Sequence, residues 1–427
     1  MNIIERFGDR VSALSRTDPD RARRFLLAGF RANGAKNRLL HGRLTRSDQM
    51  VFQQVNRAMI ACLARPQNNV MVSLFTPCEM LLGQGLLPYS CEAFSSYLSG
   101  SMAEQGFLRT AEEEGIPTSL CSYHKVFIGA AKTGVMPRPR FILSTSLACD
   151  ANTLTFRRLS EFYEVPHFNV DVPFEQTDRA VDYVAGQLRQ MGEFLEKQTG
   201  VRVDEAKLAD TVARSQRTLA LYDKFLTLRA GKELLSNLTT ELLRTASLHF
   251  LLGSRESEAL LLQMLREARS APPARGAQLL WIHTTPYWVP PLRALFDHDP
   301  AVQIAASDMS YEGFCPADPA RPYEAMARRL VWSPFNGPAQ RRIDRALEVA
   351  RQVRADGAVW FCHWGCKHTL GGAQLGKKKL EEAGFPTLLL DGDSCDRGFG
   401  GEGQAATRME AFLELLNARK AKERGAV

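Results

Sequence analysis

The sequence predicts an α/β protein: two Rossmann-like parallel-sheet domains, an N-terminal helical segment, and a helical insert between the two sheets. Three observations carry this. Short apolar runs of strand length alternate with helical patterns over residues 69–170 and again over 278–390, the texture of parallel sheets crossed over by helices. Between them, from Thr177 to Arg269, the apolar spacing is helical throughout. A chain of 427 residues also exceeds one ordinary core, so two or three domains are expected. The expected boundaries are 1–65 for the N-terminal helical segment, 66–176 for the first Rossmann-like domain, 177–270 for the insert and 276–420 for the second Rossmann-like domain.

In the N-terminal segment Ile3, Ile4, Phe7, Val11 and Leu14 recur at helical spacing, as do Val51, Val55, Met59 and Leu63. It reads as a packing or dimerisation segment without chemistry. Val70–Phe75 is a β-type run that ends at Thr76-Pro77-Cys78-Glu79. Met80–Gly85 and Cys91–Gly106 read as helices, and Gly115-Ile116-Pro117 as a loop leading to a strand end at Cys121–Lys125. Phe141–Ser146 is a clean strand closing at Cys149-Asp150, followed by a helix through Phe162 and a short strand over Val165–Val170. In the insert, Val181, Val184, Leu188 and Met191 share a helical face. Ala271-Pro272-Pro273-Ala274-Arg275-Gly276 is the strongest linker signal.

Gln278–Ile282 and Val302–Ala306 begin the second unit, and a helix carrying Ile343, Ala346, Ala350 and Val353 on one face leads into the run Ala358–Cys362. Gly371-Gly372 opens a helix that closes at Gly384, and Pro386–Leu390 ends in Asp391, Asp393 and Asp396. Strand, crossover helix and strand make a βαβ unit. Ala405, Met409, Phe412, Leu413 and Leu416 form the apolar stripe of the final helix. No tandem repeat is visible, although the two α/β units could be structural relatives.

Composition is that of a soluble globular protein, 45% hydrophobic and 24% charged. The net charge of +7 is spread thinly, with no basic stripe interleaved with aromatics, which argues against nucleic acid. A mildly basic surface suits an anionic substrate or an acidic partner. Charged residues occupy the first turns and no apolar leader core is visible, so no signal peptide is expected. No run approaches the roughly 18 apolar residues of a membrane span. The expected location is cytoplasmic. Nine cysteines, an odd number, in a reducing compartment point to metal binding or catalysis rather than to disulfides.

Cys121, Cys149 and Cys366 share one context, each just past a short apolar run. In parallel sheets, ligands sit beyond the carboxyl ends of the strands, so strands of two sheets facing one cleft would bring these residues together. Soft thiolates there suit an iron–sulfur cluster or zinc. On spacing alone a buried apolar cysteine outweighs a ligand, because there is no C-x-x-C pair and Cys362–Cys366 is C-x3-C.

The segment CKHTLGGAQLGKKKLEEAGFPTLLLDGDSCDRGFGGEGQAATRMEAFLEL, from Cys366 on, changes that weighting. Its Cys366-Lys367 pair, Gly384-Phe385-Pro386 turn, Asp393 and Asp396, and final helix from Gly403 through Phe412 closely resemble the signature of the 2-hydroxyacyl-CoA dehydratase family. That family includes benzoyl-CoA reductase subunits and double-cubane cluster proteins. GIPTSLCSYHKVFIG around Cys121, ACD around Cys149 and EVPHFNVDVPFE look like its first domain, so the resemblance spans roughly residues 69–416. It implies a 4Fe–4S cluster held by Cys121, Cys149 and Cys366, with the fourth iron site left for water, a sulfur ligand or the thioester carbonyl. It further implies an acyl-CoA substrate and an ATP-dependent iron–sulfur activator that injects one electron. Dehydration would then proceed through a ketyl radical, with the chain paired either with itself or with a sister subunit.

Cys78, Cys91, Cys362 and Cys395 lie near the expected site, where any of them could add a ligand or join a larger cluster; packing is the simpler role. His124 and His363, beside two expected ligands, are candidate acid/base groups or hydrogen-bond donors to sulfur. Glu79 and Glu92 are weaker candidates for proton transfer. Asp391, Asp393 and Asp396 read as loop carboxylates that cap Arg408 or the final helix, and Gly400–Gly403 as a turn. Two alternative functions follow: an ATP-coupled reductase of small molecules with a double-cubane cluster (or a benzoyl-CoA-reductase-like subunit), and a non-catalytic zinc-binding scaffold.

Overall fold

The computed structural model describes residues 3–39, 42–310 and 315–425. It contains two four-stranded sheets, both wholly parallel. The first comprises β1 (Asn69–Val72), β2 (Leu87–Ser90), β3 (Phe141–Thr145) and β4 (His167–Val170) in the order β2-β1-β3-β4. The second comprises β5 (Ala277–Ile282), β6 (Val302–Ser307), β7 (Gly357–His363) and β8 (Thr387–Gly392) in the order β6-β5-β7-β8. The two orders are the same, which bears out the expected Rossmann-like class and the suspected kinship of the two units.

Strands β1, β3, β5, β6 and β7 are buried along their whole length. Helices cover both faces of a parallel sheet, so these strands read as near-continuous apolar runs without alternation. The edge strands β2, β4 and β8 are only partly buried, and sequence reasoning missed β2. It is four residues long and contains Pro88, whose missing N–H is tolerated because β2 pairs on one side only, with β1.

Two other expectations change. Cys121–Lys125 is not a strand end: Ser122–Lys132 is a helix, and Cys121 is its N-cap. Every residue from Ser122 to Ala131 is buried, and a helix buried on all sides shows no amphipathic period to distinguish it from a strand. The expected single helix Cys91–Gly106 is two helices, Cys91–Gly100 and Glu104–Glu113, with the chain turning through Met102 at φ 56°.

The N-terminal helices Ile3–Thr17, Pro19–Leu39 and Arg46–Ala64 pack in sequence against one another. The last starts at a capping box, in which Thr45 and Asp48 satisfy each other's backbone N–H groups. Four helices lie between the sheets in sequence: Asp178–Thr199, Glu205–Arg229, Leu238–His249 and Arg255–Ser270. Leu238–His249 packs on Arg46–Ala64 through an ion pair of Arg244 with Asp48 (2.8 Å) and a hydrogen bond from Ser247 to Gln54 (2.6 Å). One apolar core runs from the first sheet through these helices to the near face of the second sheet. A smaller cluster around Trp281, Phe361 and Phe412 seats the final helix, Glu402–Gly425, on the other face. Among the described residues no helix is long and apolar enough to cross a membrane.

Candidate functional site

In each sheet the strand order reverses between the first and third strands of its unit, β1/β3 and β5/β7. At such a switch point the connections leave in opposite directions and open a crevice beyond the strand ends. Both crevices face one cavity, ≈ 940 Å³ when the solvent space at its open mouth is counted. Leu74 and Phe75 reach it from β1, Cys149 from the turn after β3, His283 and Thr284 from β5, and His363 and Cys366 from β7.

All three expected cysteines line this cavity and are partly accessible. Each is the N-cap residue of a helix: Cys121 of Ser122–Lys132, Cys149 of Asp150–Tyr163 and Cys366 of the short turn Lys367–Leu370. None uses its side chain to cap, so the thiols are left for the cavity. Burial pushes all three above the ordinary thiol range, Cys149 to about 12, and the proximity of Cys366 adds to the rise at Cys121 and Cys149. The first-turn N–H groups of Thr369 and His368 oppose this at Cys366, as do those of Asn152 and Ala151 at Cys149. A cationic centre in the cavity would reverse the balance, since metal-bound thiols are deprotonated outright.

Close approach of two turns brings Cys121 to Cys366. Gly365 has φ +79°, and a Cβ there would lie 2.6 Å from the backbone nitrogen of Cys121. Only glycine provides both the left-handed conformation and the missing atom. Asp393 ties the same turns from the other side. Its Oδ1 accepts from Ser122 Oγ (2.6 Å) and from the N–H groups of Cys395 and Asp396 (both 2.7 Å).

His363 is positioned by that loop. Its Nδ1 accepts the Ser394 N–H at 3.2 Å, while the Asp393 carboxylate stands farther off, at 3.7 Å. The neutral ring therefore carries its proton on Nε2, which donates to Cys121 Sγ at 3.2 Å. Burial holds His363 below the usual imidazole range. His124 stands beside Cys149, with its Nε2 3.9 Å from the sulfur and its Nδ1 3.0 Å from Thr155 Oγ1; burial lowers its pKa to about 4. Each expected histidine thus neighbours one expected cysteine.

Sequence reasoning missed three further lining residues, His283, His368 and Arg342. His283 sits at φ 80° directly after β5, its N–H donated to Asp308 Oδ1 at 2.7 Å. Arg342 donates through Nε to Asp308 Oδ2 at 2.7 Å and lies 3.1 Å from His368 Nδ1. The strand-end position of His283 was a usable signal; Arg342, inside a helix in an ordinary basic context, offered none.

Glu79 is not brought to the cavity. It is fully buried in a two-point ion pair with Arg329 and accepts from Ser215 Oγ at 2.9 Å, joining helices of three parts of the chain. Glu92 does line the cavity, accepting from Ser90 Oγ (2.6 Å) and the Leu74 N–H (3.3 Å), and burial raises its carboxyl pKa. Cys78, Cys91, Cys362 and Cys395 are buried and do not line the cavity. Of the aspartates, Asp391 pairs with Arg408 at 3.2 Å as expected. Asp393 and Asp396 instead serve the loop and Gln105.

Among the described residues no three His, Cys, Asp or Glu side chains gather as ligands of a single ion. A cubane has a different requirement, because its cysteines bind separate irons and must stand around a void. Three accessible thiols around an otherwise largely apolar cavity fit that donor set.

The sequence profile of the 2-hydroxyglutaryl-CoA dehydratase D-component matches residues 73–416. The chain is similar to the (R)-2-hydroxyisocaproyl-CoA dehydratase alpha subunit of Clostridioides difficile, 22% identical over 77% of this chain and 86% of the relative. It is also similar to the (R)-2-hydroxyglutaryl-CoA dehydratase alpha subunit of Acidaminococcus fermentans, 22% identical over 67% of this chain and 62% of the relative. A third relative is the lactoyl-CoA dehydratase alpha subunit of Anaerotignum propionicum, 20% identical over 81% of this chain and 90% of the relative. With twin parallel sheets and a family match over most of its length, the chain belongs to the 2-hydroxyglutaryl-CoA dehydratase D-component family.

Proposed function

We propose that this chain is the iron–sulfur subunit of a 2-hydroxyacyl-CoA dehydratase, with Cys121, Cys149 and Cys366 holding a 4Fe–4S cluster. One observation carries the reading: of nine cysteines, the three that line the cavity are those the family signature implies. When bound, the cluster supplies the single electron that makes loss of the 2-hydroxyl group feasible, and an ATP-dependent activator delivers it. The alpha-subunit names of the relatives support pairing with a second subunit and a CoA thioester as substrate.

The chain's own residues have separable tasks. His363 steadies the Cys121 sulfur through Nε2–H. His124 keeps a neutral imidazole beside Cys149. Glu92 lines the cavity with a carboxyl whose pKa burial raises, the condition that a proton donor to the departing hydroxyl requires. The apolar walls keep bulk water, and the stray protonation it would bring, away from the reacting thioester.

The test is anaerobic reconstitution with iron and sulfide analysis and an EPR spectrum. The expected content is about four irons per chain, falling sharply in Cys121→Ala, Cys149→Ala and Cys366→Ala. Wild-type protein that stays iron-free, or one that binds zinc alone, would overturn the proposal.

A further inference from the structure

The cavity walls bear on which acyl group is bound. We infer that the substrate's acyl side chain is uncharged, apolar and bulky, branched aliphatic or aromatic, and carries no carboxylate. This rests on the functional reading above.

The helix Leu238–His249 supplies one wall, presenting Leu242, Leu243 and Ala246. Its polar side chains are committed elsewhere: Arg244 to Asp48 and Glu241, and Ser247 to Gln54. Thr245, which also lines the cavity, is engaged with Ser310 Oγ at 3.2 Å. Phe75 and Phe335 add an aromatic wall, with ring centroids 5.2 Å apart. A flat or branched apolar group fits such a lining.

Charge points the same way. Arg342 is the one arginine or lysine among the described lining residues, and it is paired with Asp308 at 2.7 Å. A substrate carboxylate would have to share Arg342 with Asp308 and would otherwise meet the imidazoles of His124, His283, His363 and His368, with Glu92 and the cysteine sulfurs as further neighbours. Burying a carboxylate without its own cation is strongly unfavourable. Size separates the remaining options: a methyl-sized side chain would not reach the walls formed by Leu242, Leu243, Phe75 and Phe335.

The test uses acyl-CoA thioesters that lack the 2-hydroxyl and cannot react, titrated calorimetrically into anaerobically reconstituted protein. 4-Methylpentanoyl-CoA should bind about 100-fold more tightly than glutaryl-CoA and at least about 10-fold more tightly than propanoyl-CoA. Ala246→Leu should weaken 4-methylpentanoyl-CoA by about 10-fold and change propanoyl-CoA by less than about 3-fold. Leu242→Ala, which removes wall surface without crowding, should weaken only the bulky ligand; thermal unfolding checks that both variants fold. Glutaryl-CoA binding as tightly as 4-methylpentanoyl-CoA, or variants that shift all ligands equally, would overturn the inference and leave the functional reading intact. Iron-loaded protein that binds none of the three thioesters would overturn both.

Discussion

The two sheets share one strand order but contribute to the cavity unequally. Cys149 and Cys366 are counterparts, each on the turn after the third strand of its unit and each opening the next helix. Cys121 has no such counterpart. It comes from the segment between β2 and β3, whereas the corresponding segment between β6 and β7 has one cysteine, Cys315, which does not line the cavity. The first unit therefore gives two thiols and the second gives one, together with His283, His368 and Arg342. A repeated backbone supplies two equivalent positions, and the departure from the repeat supplies the third.

Several experiments break or sharpen this comparison. The largest effect should come from cutting the tie between the halves. Arg329→Met leaves the Glu79 carboxylate buried without its cation, and a loss of roughly 3–5 kcal/mol in denaturant unfolding is expected. An unchanged midpoint would mean that the two units are not held together there.

Gly365 and Gly384 form a matched pair. Both have positive φ, +79° and +93°, but only Gly365 abuts another backbone. Gly384→Ala should cost about 1–2 kcal/mol from conformation alone. Gly365→Ala adds the clash with Cys121 and should cost about 2–4 kcal/mol and, under the proposed function, most of the iron taken up on reconstitution. Equal costs at the two sites, measured by the same unfolding assay, would remove the argument that Gly365 permits the approach.

Acid should act on both units. Burial lowers His167, on β4, to about 4, and holds His283, after β5, well below its usual range. The unfolded chain then binds more protons than the folded one between the two pKa values, so stability is full above about pH 6.5 and falls as the pH drops toward 4. The contribution of partly exposed His167 is on the order of 1–2 kcal/mol. His167→Gln, which keeps a donor for Ser144, should flatten that part of the pH–stability curve. The smallest effect is expected at Cys362. It is buried on β7, so Cys362→Ala should cost about 1 kcal/mol and leave the iron content unchanged.

Much of the architecture was legible because buried parallel strands are near-continuous apolar runs and surface helices carry a 3.6-residue stripe. Phe141–Thr145, Ala277–Ile282 and Gly357–His363 illustrate the first, and the helix Ala339–Gln352 illustrates the second. β2 was illegible because four residues containing a proline carry no period, and Ser122–Lys132 was misread because its burial on all sides leaves no polar face. Cys121, Cys149, Cys366, His124 and His363 were singled out by motif and neighbourhood. Glu79 was singled out likewise, yet its acidity serves a buried ion pair rather than the cavity. Spacing along the chain cannot distinguish a carboxylate facing a cavity from one facing an arginine 250 residues away.

The sequence by itself determined the fold class and the family signature and singled out Cys121, Cys149 and Cys366, because these readings depend on local periodicity and on short motifs. Tertiary structure alone decided that Asp393 binds Ser122, that His363 directs Nε2–H at Cys121, and that the helix Leu238–His249 walls the cavity. Those contacts join residues from opposite ends of the chain, and only closure of the two switch points onto one cavity brings them together.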